Sequence, residues 1–91
     1  MEIEELKLFM RVDDNEEDLL IQGLQSAAEE YLLNAGVYKD YDKFLYTLAI
    51  KMLVGHWYEN RSVVGKTDKL AFSLDSMIIQ LKYTQVEPVI I

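Results

Sequence analysis

The sequence predicts an all-α fold: a small bundle of about four helices, at 3–10, 14–34, 42–61 and 74–83, with a long loop at 62–73 and an extended C-terminal tail. Three observations predict it. Apolar residues recur at three- and four-residue spacing along most of the chain. Residues that start and stop helices stand at the ends of these stripes. Only one proline and four glycines interrupt 91 residues, which leave room for one core and read as a single domain, 1–91.

The first helix, Ile3 to Met10, gathers Ile3, Leu6, Phe9 and Met10 on one side. "RVDD" then breaks it, because Val12 is β-branched and Asp13 and Asp14 are natural N-caps. Asp13 with Glu16, or Asp14 with Glu17, supplies the spacing of a capping box. The second helix carries a stripe of Leu20, Leu24, Ala27 and Tyr31, widened by Ile21, Ala28 and Leu32, and Gly36 suits its C-terminal stop. After a turn at 36–41, Asp40 or Asp42 is placed to cap the third helix. Its main stripe is Leu45, Leu48, Ala49, Met52, Leu53 and Trp57, and only a line through Lys43, Thr47 and Lys51 stays polar. A helix apolar on nearly all sides is central, or meets another chain. Residues 62–73, with Gly65 and "KTDK", read as a loop long enough to be functional. Ser73 is placed to cap the fourth helix, whose stripe is Leu74, Met77, Ile78 and Leu81. Pro88 forbids a helix interior in "QVEPVII", and the β-branched residues there suit a strand that packs on the domain or adds to a neighbouring chain.

Composition narrows the function. The absence of cysteine excludes disulfides, thiol catalysis and cysteine zinc sites, and fits a reducing compartment. No charged and apolar leader opens the chain, so a secretory signal is not expected. The most apolar run, Phe44 to Tyr58, contains Lys51 and falls short of the ~20 residues of a membrane span. Net charge is −7, and it is uneven: residues 1–35 carry ten acids against two bases, the remainder six acids against seven bases. Such a first half repels phosphate, which disfavours ordinary nucleic-acid binding. The acids also suit solvated helix starts.

No constellation points to catalysis. His56 and Glu59 share a helix face, but two ligands do not make a metal site, and no second histidine exists. His56 and Arg61 are instead suited to the negative end of the third helix's dipole. "GKT" at 65–67 lacks the upstream glycine of a phosphate loop. No catalytic, metal-binding or cofactor-binding residue is therefore assigned, and no enzyme is expected. Leu24, Tyr31, Leu45, Leu53 and Trp57 are the expected core anchors. Tyr58 points away from Trp57, toward a neighbouring element or subunit. With it, Val63, Val64, Lys66, Lys69, Phe72, Val89, Ile90 and Ile91 are the candidate subunit or partner contacts. Asp13 and Arg61 are candidates for an ion pair tying the third helix to the first interhelix break.

Three segments carry a resemblance. "LVGHWYENR", Leu53 to Arg61, is similar to the hallmark segment of the small head–tail connector (adaptor) proteins of tailed bacteriophages, also described as phage DNA-packaging proteins. "IEELKLFMRVDDNEEDLLIQGLQSAAEEYL", Ile3 to Leu32, resembles the family's opening, and "LAFSLDSMIIQLKY", Leu70 to Tyr83, its closing segment. The chain departs from the family in the last segment. Ala71 and Ser73 stand where proline and glycine are frequent, and Lys82 where arginine is common. The resemblance implies a non-enzymatic structural role. That role is a homo-oligomeric ring under the portal protein of a phage or prophage, extending the DNA channel and receiving a tail-completion or stopper protein. It implies assembly in the host cytoplasm, a place at the virion head–tail interface, DNA passing without specific binding, and no membrane. An acidic channel lining would let DNA pass without adhering. Repulsion between subunits of charge −7 further predicts a free protein that is monomeric or weakly associated at low salt. The competing reading is a small acidic interaction protein, a DNA mimic or an inhibitor of a basic partner, without a virion role. A metal-assisted enzyme using His56 and Glu59 is the third class.

Overall fold

A computed structural model describes residues 1–61 and 71–85, the side chains of Ala71 and Phe72 excepted. Four helices follow in order: α1 (Ile3–Met10), α2 (Asp18–Asn34), α3 (Phe44–Glu59) and α4 (Ala71–Thr84). The fold is the expected all-α bundle, with shifted boundaries.

α2 begins four residues later than the acidic caps suggest. Asp14 spends its carboxylate on a local turn, accepting the Glu16 amide at 3.1 Å. Short polar side chains compete with helix in this way. Asp40 does the same before α3, accepting the Asp42 amide at 3.1 Å, so the helix starts at Phe44. α3 stops at Glu59, where Asn60 turns both its amide and its side-chain Nδ2 onto the His56 carbonyl, at 3.0 and 2.9 Å. α4 begins at Ala71, so the predicted loop at 62–73 is wrong in its last three residues. Nothing in Ala71–Phe72–Ser73 breaks a helix. The remainder of that loop, and the tail from 86, lie outside the described residues.

Two helix ends close in the same way. At the end of α2 the Val37 amide reaches back to the Leu32 carbonyl (2.8 Å) and the Gly36 amide to Leu33 (2.9 Å). Gly36 supplies the left-handed residue (φ 95°), and Leu32 and Val37 on either side of the turn are both buried. At the end of α1 the Val12 amide reaches the Lys7 carbonyl (2.9 Å), but the left-handed residue is Arg11, at φ 59°. A side chain there costs about 1–2 kcal/mol relative to glycine.

α3 packs on α1, α2 and α4, and is the central helix. It buries Tyr46, Ala49, Ile50, Leu53, Val54 and Trp57. α2 supplies Ile21, Leu24, Ala28 and Leu32, α1 supplies Leu6, and α4 supplies Leu74, Met77 and Leu81. The indole of Trp57 meets the Tyr31 ring edge-on, with centroids 5.9 Å apart. In both long helices the buried face is rotated by about one residue from the predicted stripe. Leu20 and Leu48 are exposed, and Ile21 and Tyr46 take the inward places. Leu45 and Tyr31 are only partly buried.

Candidate assembly surfaces

Three polar clusters fix the helices against one another. The first gathers at the α2 N-terminus. The Glu17 carboxylate accepts the Tyr58 hydroxyl (2.8 Å) and pairs with Arg61 Nη2 (2.5 Å). The guanidinium lies 5.0 Å from the Tyr58 ring centroid, and its Nε donates to the Tyr58 carbonyl at 3.3 Å. Its hydrogen bond to the Glu17 carboxylate raises the Tyr58 phenol pKa above the ordinary value. Arg61 thus meets Glu17 rather than Asp13, which is exposed. The α2 start falls four residues beyond the predicted one and carries the acceptor with it. Next to it, Lys7 is nearly buried, donating to Asn15 Oδ1 (2.6 Å) and lying 3.0 Å from Asp18 Oδ1. The Asp18 contact is a charge pair rather than an aligned hydrogen bond.

The second cluster joins the middle of α2 to the turn before α3. The Tyr41 hydroxyl donates to Glu29 and accepts from Gln25 Nε2 (3.0 Å), while Lys39 approaches Glu29 at 3.6 Å. Burial, then the Glu29 hydrogen bond, raises the Tyr41 pKa. Tyr46 packs edge-on against the Tyr41 ring, 5.1 Å away, with its own hydroxyl buried and unpartnered. Burial pushes the Tyr46 phenol up to about 12.

The third cluster fastens the end of α4. Gln85 donates to the Gly36 carbonyl (2.7 Å) and accepts the Tyr38 amide (2.9 Å), and Lys43 donates to Thr84 Oγ1 (3.0 Å).

Against this ordered interior, large apolar side chains stand in solvent. Phe44 is 92% exposed, Tyr83 86%, Leu19 85% and Leu8 80%. A groove of about 440 Å³ opens between the end of α1 and the last turns of α3, walled by Phe9, Met10, Met52 and Gly55. Arg11, His56 and Glu59 line it as well. His56 and Glu59 therefore share a surface, but no cluster of three metal-capable side chains occurs among the described residues. No described helix is long and apolar enough to cross a membrane.

Of the predicted anchors, Leu24, Leu53 and Trp57 are buried. Tyr58, expected at a partner surface, is half-buried and held by Glu17. Val63, Val64, Lys66, Lys69, Val89, Ile90 and Ile91, and the side chain of Phe72, lie outside the described residues. The residues that sequence reasoning missed are Phe44, Leu48 and the groove. For Phe44 and Leu48 a signal was present, since α3 is apolar on nearly all sides; for the groove there was none.

A helical domain with an ordered core, carboxylates engaged in holding helices together, and apolar side chains left in solvent is suited to contact with other proteins. The chain belongs to the family described as phage gp6-like head-tail connector protein, whose model matches residues 1–83. Its role as a phage protein is accordingly structural, joining head to tail through contacts with other virion proteins. No curated protein and no solved structure matches it.

Proposed function

We propose that the chain is one subunit of a homo-oligomeric ring that sits under the portal of a tailed phage or prophage. The ring extends the DNA channel and receives a tail-completion or stopper protein. It assembles in the host cytoplasm and acts without catalysis or a cofactor. The reading rests on family membership, and one observation carries it to assembly: Phe44, Leu8, Leu19 and Tyr83 are each at least 80% exposed on a surface otherwise rich in acids. Side chains of that size in open solvent favour burial against another chain. The acid excess of the first half suits a wall past which DNA slides, because it attracts no phosphate.

Electron microscopy of the purified chain mixed with portal rings tests the reading. The expected result is added density on one face of the portal, lost when Phe44 and Leu19 are both changed to serine. Absence of docking, together with capture of a nuclease or repressor in pulldown, would favour the small acidic interaction protein instead.

A further inference from the structure

The C-terminal ends of α2 and α4 meet the start of α3 at one end of the bundle. Gln85 bridges Gly36 and Tyr38 there, and Lys43 donates to Thr84 Oγ1 (3.0 Å). The stem of Lys82 lies over Gly36, its Cε 3.1 Å from the place a Cβ would take. Phe44, Tyr83 and Tyr38 are all exposed at this end. Aromatic side chains of this kind are enriched where proteins meet.

Charge sets the same end apart. Lys7, Lys39, Lys51 and Arg61 each pair with a carboxylate. Lys43 and Lys82 pair with none among the described residues, and both lie here. Residues 36–44 and 82–85 carry Lys39, Lys43 and Lys82 against Asp40 and Asp42, whereas residues 13–18, at the other end of α2, carry five acids and no base. α2 has 17 residues, so about 25 Å separates the two ends, some three screening lengths at physiological salt. A partner at the lysine end therefore meets the local charge and not the net −7.

Resting on the portal reading, we infer that this end docks the chain on the portal. The portal face it fits carries carboxylates opposite Lys43 and Lys82 and apolar side chains that cover Phe44 and Tyr83. The patch is complete within one subunit, as the first partner of a free chain requires, whereas a stopper meets subunits already joined in a ring. Duplex DNA fits less well. Its phosphates would meet Asp40 and Asp42 as well as the lysines and would leave Phe44 and Tyr83 in water. A protein face can set its carboxylates against the lysines alone.

Surface plasmon resonance of the full chain over immobilised portal rings tests the assignment, with circular dichroism confirming that each variant folds. Lys43→Gln with Lys82→Gln is expected to weaken docking about tenfold at about 150 mM salt, and Phe44→Ala at least about tenfold. Gln22→Glu with Ser26→Glu changes the net charge equally on the exposed side of α2, and should change docking by less than about twofold. Wild-type docking should loosen between about 150 and about 500 mM salt, and docking of the lysine variant should loosen less. A wild-type chain that does not dock overturns this assignment and the portal reading together. If the wild type docks, undiminished binding by the lysine variant or by Phe44→Ala, or an equal loss in the Gln22→Glu, Ser26→Glu control, overturns the assignment alone. So does duplex DNA binding at the same salt that the lysine variant loses.

Discussion

Tyr46 shows what a single atom does in a core this small. Its ring is fully buried and packs on Tyr41, yet its hydroxyl has no hydrogen-bond partner. A buried donor without an acceptor costs about 1–3 kcal/mol. Tyr46→Phe removes that cost and keeps the ring, so the variant should be as stable as the wild type or up to about 1 kcal/mol more stable in urea unfolding. A loss greater than about 1 kcal/mol would show that the hydroxyl has a partner after all. The same atom sets an alkaline limit. The folded pKa, about 12, lies above the unfolded value of 10.0, because burial penalises the phenolate. The folded state therefore holds its proton more tightly. Its contribution to stability is complete below pH 10 and is lost as pH rises from 10 to about 12. Tyr41 shifts in the same direction, by burial and its bond to Glu29. Circular dichroism between pH 9 and 12 should show unfolding together with tyrosinate absorbance, and a shallower loss in Tyr46→Phe.

The elements are joined by carboxylates as well as by apolar contact. Glu17 links the start of α2 to the end of α3 through Tyr58 and Arg61, and Asp18 links it to α1 through Lys7. A double-mutant cycle of Glu17→Ala with Arg61→Ala should give a coupling of about 0.5–1 kcal/mol, modest because both side chains remain partly exposed. The cycle of Asp13→Ala with Arg61→Ala should be additive. Coupling in the second cycle and none in the first would reverse the assignment. This pair also marks how far the elements were legible from sequence. Four helices, a central α3 and the Gly36 stop followed from periodicity and one residue's backbone freedom. Arg61, expected to serve the end of α3, lies two residues past that end and pairs with Glu17. Its partner was not legible, because Asp13, Asp14, Glu16, Glu17 and Asp18 present five carboxylates within six residues. Which of them faces Arg61 depends on where α2 starts, and the Asp14 turn delays that start. The rotation of the buried faces was hidden for a similar reason. Leu20–Ile21 and Leu45–Tyr46 are adjacent apolar pairs, and packing alone decides which member turns inward. The open groove was illegible because it depends on where the end of α1 meets Gly55.

For the whole molecule, charge and apolar exposure pull in opposite directions. Each copy carries −7, so copies repel at long range, while Phe44, Leu19 and their exposed neighbours favour contact once copies meet. Salt acts mainly on the first of these. The screening length falls from about 30 Å at about 10 mM to about 8 Å at about 150 mM, which removes repulsion between whole subunits. Ion pairs brought into direct contact are screened less, and apolar burial is not weakened. Self-association of the free chain should therefore strengthen between about 10 and about 150 mM salt, as read by light scattering at fixed protein concentration. Nucleic-acid-binding proteins that adhere through opposite charge behave the other way, loosening as salt rises. Association strongest at the lowest salt, or a stable ring in dilute low-salt buffer, would mean that complementary charge rather than exposed apolar surface brings the copies together. The acidic first half would then be a contact surface, and it could no longer serve as the wall past which DNA moves.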